Sequence, residues 1–196
     1  MQQPMCYVIS HATSRAVADC ERSLKAHGWQ FQNFAAVDGN KITDKDWQSI
    51  KVKMSPTAGK LPQRLGAQGC WFSHWALWNL CADTSQPLII LEHDAVVQGP
   101  WPRDLDIETC IVKLYRSAPC KEKVGLGIWS KGTHAYTITP HQASKLINRA
   151  RDWGASPVDK HIISGSIPWR FLDQDLVTLN LLRGPSSTRE FQPGLI

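Results

Sequence analysis

The stretch Leu88-Ile89-Ile90-Leu91-Glu92-His93-Asp94-Ala95-Val96-Val97 is the one place where the chain asks for more than a packed core. Leu88 to Leu91 form an unbroken apolar run after Gln86-Pro87, the pattern of a strand buried on both faces of a mostly parallel sheet. The chain then turns acidic. In extended backbone Glu92 and Asp94 project to the same side and His93 to the other. Carboxylates at the carboxyl end of such a strand sit where open α/β sheets bind ligands. Oxygens of this kind suit a hard divalent cation that also binds substrate phosphates, Mg²⁺ or Mn²⁺. A solvated turn has the same look, since acidic residues commonly follow strands.

Upstream of this strand a helical period runs from Ala67 to Ala82. Trp71, Trp75, Trp78 and Ala82 form one stripe and Cys70, His74, Leu77 and Cys81 a second, so this helix is expected to be buried against the sheet. The thiols and imidazole of the second stripe do not make a zinc site. Cys70 and Cys81 stand three turns apart, roughly 16 Å of rise, too far to share one ion. Nor do Ser73 and His74 make a nucleophile and base, because adjacent helical residues point about 100° apart.

Further out, Met5 to Ser10 reads as a strand. Thr13-Ser14 can cap a helix that runs to His27 and stops at Gly28, and Trp29 to Val37 reads as the next strand. No GxGxxG lies at the first turn, which argues against a dinucleotide-binding Rossmann site. Asp38-Gly39 is a turn whose carboxylate could serve a ribose or base, or the turn itself. Thr43 and Asp46 suggest the cap of a short helix ending near Ile50, and residues 51–66 read as a mobile loop of the kind that forms lids. Downstream, Cys110 to Leu114 and His134 to Thr139 are strands. The segment 115–132 between them has the length of an acceptor-binding loop. Thr139-Pro140-His141-Gln142 is a strong helix start, and Gly154 stops that helix. Ser156-Pro157-Val158-Asp159 is a loop or a helix start carrying one carboxylate, and Leu176 to Leu182 is expected as a last strand. Trp101, Trp129, Trp153 and Trp169 fall in expected loops, where their rings can stack on sugars or close a core edge.

With 196 residues and 42% hydrophobic content, one domain is the expectation, over residues 1–184 with a polar tail at 185–196. No apolar run is long enough to span a bilayer and no leader is evident, so the chain reads as cytoplasmic. The six cysteines lack CxxC spacing and read as reduced thiols. The net charge of +5 is concentrated. Lys51, Lys53, Lys60 and Arg64 have no acid among them, and Lys113, Arg116, Lys121, Lys123 and Lys131 face only Glu122. Such segments attract phosphate-bearing ligands, but aromatic residues are not interleaved with them, so nucleic acid is not the expected partner.

Several stretches taken together resemble glycosyltransferase family 25, which includes bacterial lipooligosaccharide galactosyltransferases and collagen galactosyltransferases. They are Ser14-Arg15, Phe31-x-x-Phe34-x-Ala36-Val37-Asp38-Gly39, Gly69-Cys70-x-x-Ser73-His74-x-x-Leu77-Trp78, Leu91-Glu92-His93-Asp94-Ala95, Ala135-Tyr136-x-Ile138-x-Pro140 and Pro157-Val158-Asp159. The family's usual Glu-Asp-Asp here has His93 as its middle residue, and the outer two acids are kept. The resemblance implies a GT-A-like α/β fold, a mostly parallel sheet covered by helices that binds a nucleotide sugar. It also implies transfer, with inversion, of galactose from UDP-galactose to a hydroxyl of a glycan or glycoconjugate. Mn²⁺ (or Mg²⁺) would be held by Glu92 and Asp94. It places Ser10, Arg15, Asp38, Ser73, His74, Glu92, His93 and Asp94 at the donor. Inversion needs a carboxylate base, for which Asp159 and then Asp175 are the candidates. Peripheral membrane contact stays open. A non-catalytic nucleotide-sugar or glycan-binding domain of the same fold is the second reading.

Overall fold

The computed structural model describes residues 3–11, 14–56, 58–59, 61–115, 123–124, 127–128, 132–163 and 167–180. Among these residues ten strands appear in chain order as β1 (Met5–Ser10), β2 (Phe31–Ala35), β3 (Leu88–Glu92), β4 (Ala95–Val97), β5 (Ile111–Lys113), β6 (Lys123–Val124), β7 (Gly127–Ile128), β8 (Ala135–Ile138), β9 (Trp169–Phe171) and β10 (Val177–Leu179). The helices are α1 (Ala16–Ala26), α2 (Asp44–Ser49), α3 (Leu65–Thr84), α4 (Pro140–Trp153) and α5 (Val158–Ile163).

The central sheet has the order β2-β1-β3-β8-β5-β9. Parallel pairing joins β1 to β2, β1 to β3 and β5 to β9, while β8 runs against both of its neighbours. The chain therefore has the mostly parallel, helix-covered α/β sheet of the expected class. Every residue of β3 from Leu88 to Leu91 is buried, which is why that run is apolar throughout instead of alternating.

Two cores flank the sheet. Leu88, Ile90, Tyr136 and Ile138 face α3 and α4, and Ile89, Leu91, Val112 and Ala135 face the α1 side. Helix α3 is buried on nearly all sides, with Trp71, Leu77, Trp78 and Cys81 fully covered, as its two apolar stripes foretold. Each such side chain contributes about 1.5–3 kcal/mol of transfer free energy. The capping boxes at Thr43/Asp46 and Thr139/Gln142 both form.

Other expectations change. Residues 51–66 were read as a mobile loop, yet Val52, Ala58 and Leu61 are buried in the α3 core. The backbone of this segment also bonds to the residue just past the C-cap of α4, with Ser55 N donating to Ala155 O at 2.9 Å and Ala155 N to Lys53 O at 2.7 Å. Its apolar residues are too widely spaced to show a period, though they anchor it. The strand expected over Trp29 to Val37 is shorter at both ends, and of Leu176 to Leu182 the described residues 176–180 contain β10. Trp169 lies in β9 and packs edge-on to Phe171, while Trp101 packs edge-on to Trp29 and Trp153 is 70% exposed. Trp129, most of the 115–132 segment and the 185–196 tail lie outside the described residues. Cys6, Cys20, Cys70, Cys81 and Cys110 are free thiols. Among the described residues no helix is long and apolar enough to cross a membrane.

Candidate functional site

The acidic turn closes on a histidine. Strand β8 pairs with β3 so that Leu91 faces Ala135, and Glu92 N donates to His134 O at 2.9 Å. His134 is thus the cross-strand neighbour of Glu92, where side chains on one face meet. Its Nδ1 lies 3.4 Å from Glu92 Oε2, 3.0 Å from Asp94 Oδ2 and 3.2 Å from Asp94 Oδ1. Asp94 is only 1% exposed, although it stands in the turn between β3 and β4. The two carboxylates converge through that turn, since β3 ends at Glu92 and the extended backbone assumed from the sequence does not reach Asp94, and the imidazole is what they converge on.

Behind Glu92 a second imidazole arrives from α3. His74 is fully buried, and its Nε2 faces Glu92 Oε1 at 3.6 Å, an electrostatic contact longer than a hydrogen bond. Its tautomer follows from its other neighbours. The Trp78 indole N–H can only donate, and it donates to Tyr136 Oη at 2.9 Å. The Tyr136 hydroxyl hydrogen then goes to His74 Nδ1, 2.8 Å away, which leaves the imidazole hydrogen on Nε2, directed at Glu92. Thr133 Oγ1 donates to Glu92 Oε1 at 2.5 Å.

These contacts fix the charge of the carboxylate. Burial alone would raise the pKa of Glu92, but His134 and, less strongly, His74 hold it well below the usual carboxylate range. His134 is shifted upward: burial opposes its charge, and Glu92 more than compensates. Cys70 also comes close to His74 and Glu92, but burial keeps its thiol protonated. The oxygen and nitrogen donors of Glu92, Asp94 and His134 are therefore the set better suited to a divalent cation.

The remaining candidates fall in three places. Ser73 Oγ donates to Gly69 O at 2.7 Å and accepts from Val37 N at 2.9 Å, so this hydroxyl ties α3 to the end of β2. Asp38 accepts from Asn40 N and Asn40 Nδ2 at 3.0 and 2.9 Å, the turn-closing use of its carboxylate. Ser10 Oγ reaches Phe34 O at 3.4 Å, Arg15 is exposed before α1, and His93 is half-buried in the acidic turn. Asp159 stands in the first turn of α5, accepts from Lys160 N at 2.8 Å, and is near enough to act electrostatically on His134 and Lys113. Asp175 is exposed, and its charge reaches Tyr115, whose ring stands edge-on to His134.

Sequence reasoning passed over His134 and Lys113 as site residues. Lys113 is 2% exposed on β5, with Nζ donating to Gly132 O at 3.1 Å, and burial lowers its pKa to about 8. The one signal available for His134 was its place at the start of an alternating strand.

The chain matches the family described as glycosyltransferase family 25 (LPS biosynthesis protein) over residues 3–105. That is more than half its length, and it includes the whole acidic turn. The chain belongs to glycosyltransferase family 25. It is also 32% identical over 72 residues to a "Glycosyltransferase 25 family member" of Aedes aegypti, a match covering 34% of this chain and only 12% of that protein. Among solved structures it is similar to a galactosyltransferase, LgtC, in complex with donor and acceptor sugar analogs. The TM-score is 0.49 at 11% identity, covering 85% of this chain and 72% of that one. Similarity to the glycosyltransferase GlyE of Streptococcus pneumoniae TIGR4 has a TM-score of 0.46 at 12% identity, covering 88% of this chain and 46% of that one. The family assignment rests on the sequence match alone.

Proposed function

We propose that this chain is a metal-dependent glycosyltransferase. It would move a sugar, galactose from UDP-galactose being the first choice, to a hydroxyl of a glycan or glycoconjugate acceptor with inversion. The observation that carries the proposal is the convergence of Glu92 and Asp94 at the carboxyl end of β3, inside a stretch matched by the family. Two carboxylates and an imidazole with donor atoms within 4.8 Å of one another fit a divalent cation such as Mn²⁺ or Mg²⁺. When bound, such a cation would offset the negative charge that grows on the departing nucleoside diphosphate.

The chain's own residues supply the remainder. His74 and Thr133 hold the Glu92 carboxylate in one orientation. Lys113 adds a buried positive charge on the same face of the sheet. For inversion, the acceptor hydroxyl must lose its proton to a carboxylate as it attacks the anomeric carbon. Asp159 is favoured over Asp175 because its field reaches His134 and Lys113 directly.

The test is release of free nucleoside diphosphate from a panel of nucleotide sugars, with Mn²⁺ and with chelator. It compares the natural sequence with Glu92→Ala, Asp94→Asn and Asp159→Asn. Metal-dependent turnover of one donor, lost in the first two variants, is the expected result. Binding of the donor without turnover would support a non-catalytic sugar-nucleotide module, and no binding would refute the proposal.

A further inference from the structure

We infer that His134 is a third protein ligand of the divalent cation, joining Glu92 and Asp94 through Nδ1. This rests on the metal-dependent reading above and deepens it. The first argument is spacing. Two donors in neighbouring positions of an octahedral ion with bonds of about 2.1 Å stand about 3.0 Å apart. The Nδ1 atom lies 3.0 Å from Asp94 Oδ2 and 3.4 Å from Glu92 Oε2, both near that separation, and one donor atom from each of the three residues lies within 4.8 Å of the others. The same separations serve a hydrogen bond, so spacing alone does not decide.

The second argument is how the ring is held. Gly132 has a φ of +100°, and a Cβ at that position would stand 2.8 Å from His134 Cδ2 and 3.0 Å from Nε2. The backbone thus comes up against the far edge of the imidazole, which is possible only without a side chain there. Tyr115 meets the ring edge-on, with centroids 5.7 Å apart. The strand pairing fixes the backbone of His134 against Glu92 through a 2.9 Å hydrogen bond. Backbone, ring edge and neighbouring aromatic together leave Nδ1 aimed at the carboxylates. A histidine present only to neutralise the acids would not need such a seat, because charge acts without direction.

The third argument is the donor set. Glu92 Oε1 is occupied by Thr133 and faces His74, which leaves Oε2 as the oxygen nearer Nδ1. One oxygen from Glu92, one from Asp94 and one imidazole nitrogen make a three-point cap on one side of an ion. A cap of three protein donors would leave the other positions of a six-coordinate ion for water and phosphate oxygens, the arrangement expected of a cation that binds substrate. The mixed nitrogen and oxygen set favours Mn²⁺ over Mg²⁺.

The experiment is electron paramagnetic resonance on the folded full chain with Mn²⁺, alone and with UDP. The electron spin echo reports any nitrogen bonded to the ion. A nitrogen modulation is expected in the natural protein. It should persist in His93→Gln, which tests the other histidine of the acidic turn, and vanish in His134→Gln, where Mn²⁺ affinity falls roughly tenfold or more. Gly132→Ala keeps every donor but crowds the ring, and should weaken binding without abolishing it. Mn²⁺ bound with no nitrogen modulation, and lost in Asp94→Asn, would overturn the role of His134 and leave the carboxylate metal site standing. Modulation that survives His134→Gln would also overturn it. Failure of the natural protein to bind Mn²⁺ even with UDP would remove the metal site altogether, and the inference with it.

Discussion

Replacing Tyr136 by Phe removes one oxygen atom and leaves two buried groups without a partner. The Trp78 indole N–H loses its acceptor and His74 Nδ1 loses its donor, and both residues are fully buried, out of reach of water. Each orphaned group costs about 1–3 kcal/mol, and burying a phenyl instead of a phenol returns part of that, so a net loss of about 3 kcal/mol is expected. In a chain of this length that lowers the melting temperature by roughly 6–12 °C. Urea denaturation measures the loss, and a cycle with Trp78→Phe isolates one of the two bonds. Once the indole is gone, removing the hydroxyl orphans only His74, so the double variant should be about 1–2 kcal/mol more stable than the sum of the singles. Nitrogen NMR of the natural protein should find the His74 hydrogen on Nε2. A coupling indistinguishable from zero, or a hydrogen on Nδ1, would refute the chain of donors running from Trp78 to Glu92.

Gly69→Ala puts a Cβ 2.4 Å from Val37 O and 2.9 Å from Gly39 N. The roughly 1 kcal/mol gain in helix propensity is outweighed by an overpacking cost of about 1–3 kcal/mol, and an unchanged urea midpoint would contradict that close approach. His161 is buried against Trp78, donates Nε2–H to Leu146 O at 3.0 Å, and has its pKa lowered to about 4, with burial the main cause. Its folded pKa lies below its unfolded one, so between pH 6.5 and 4 the unfolded chain binds more protons. Stability is therefore lost as the pH falls from 6.5 to 4, by about 3 kcal/mol from this residue. His161→Gln should flatten that part of a pH series of urea midpoints, and an unaltered slope would show that the ring is not held neutral. Thr139→Ala removes the Oγ1 that accepts from Gln142 N at the start of α4, and should cost about 1 kcal/mol in thermal unfolding.

How far the sequence could be read depended on range. Signals within one turn or one strand were legible: the apolar run of β3, the two capping boxes and the double stripe of α3. Strands of three residues such as β4 and β9 are too short to carry a period, and α5 has only six residues, so Ser156-Pro157-Val158-Asp159 reads equally as a loop or a helix start. Half of the site was legible for the same reason. Glu92 and Asp94 announce themselves by local spacing, whereas His134 reaches them through the pairing of β8 with β3, forty residues apart in the chain. Nothing in either strand alone encodes that register. Ser73 and His74 came from the family resemblance, but their partners, Val37 and Tyr136, are matters of packing.

Helix α3 touches the loop after β2 through Gly69 and the acidic strand through His74. The two residues are five apart, about 7.5 Å along a rod that hardly stretches. The loop after β2 therefore acts as an end stop, and the stop sets the height at which the imidazole meets Glu92. A push at the glycine would move the histidine with it, since both belong to one hydrogen-bonded helix. The alignment of the carboxylate would then be governed from a point that no substrate need ever touch.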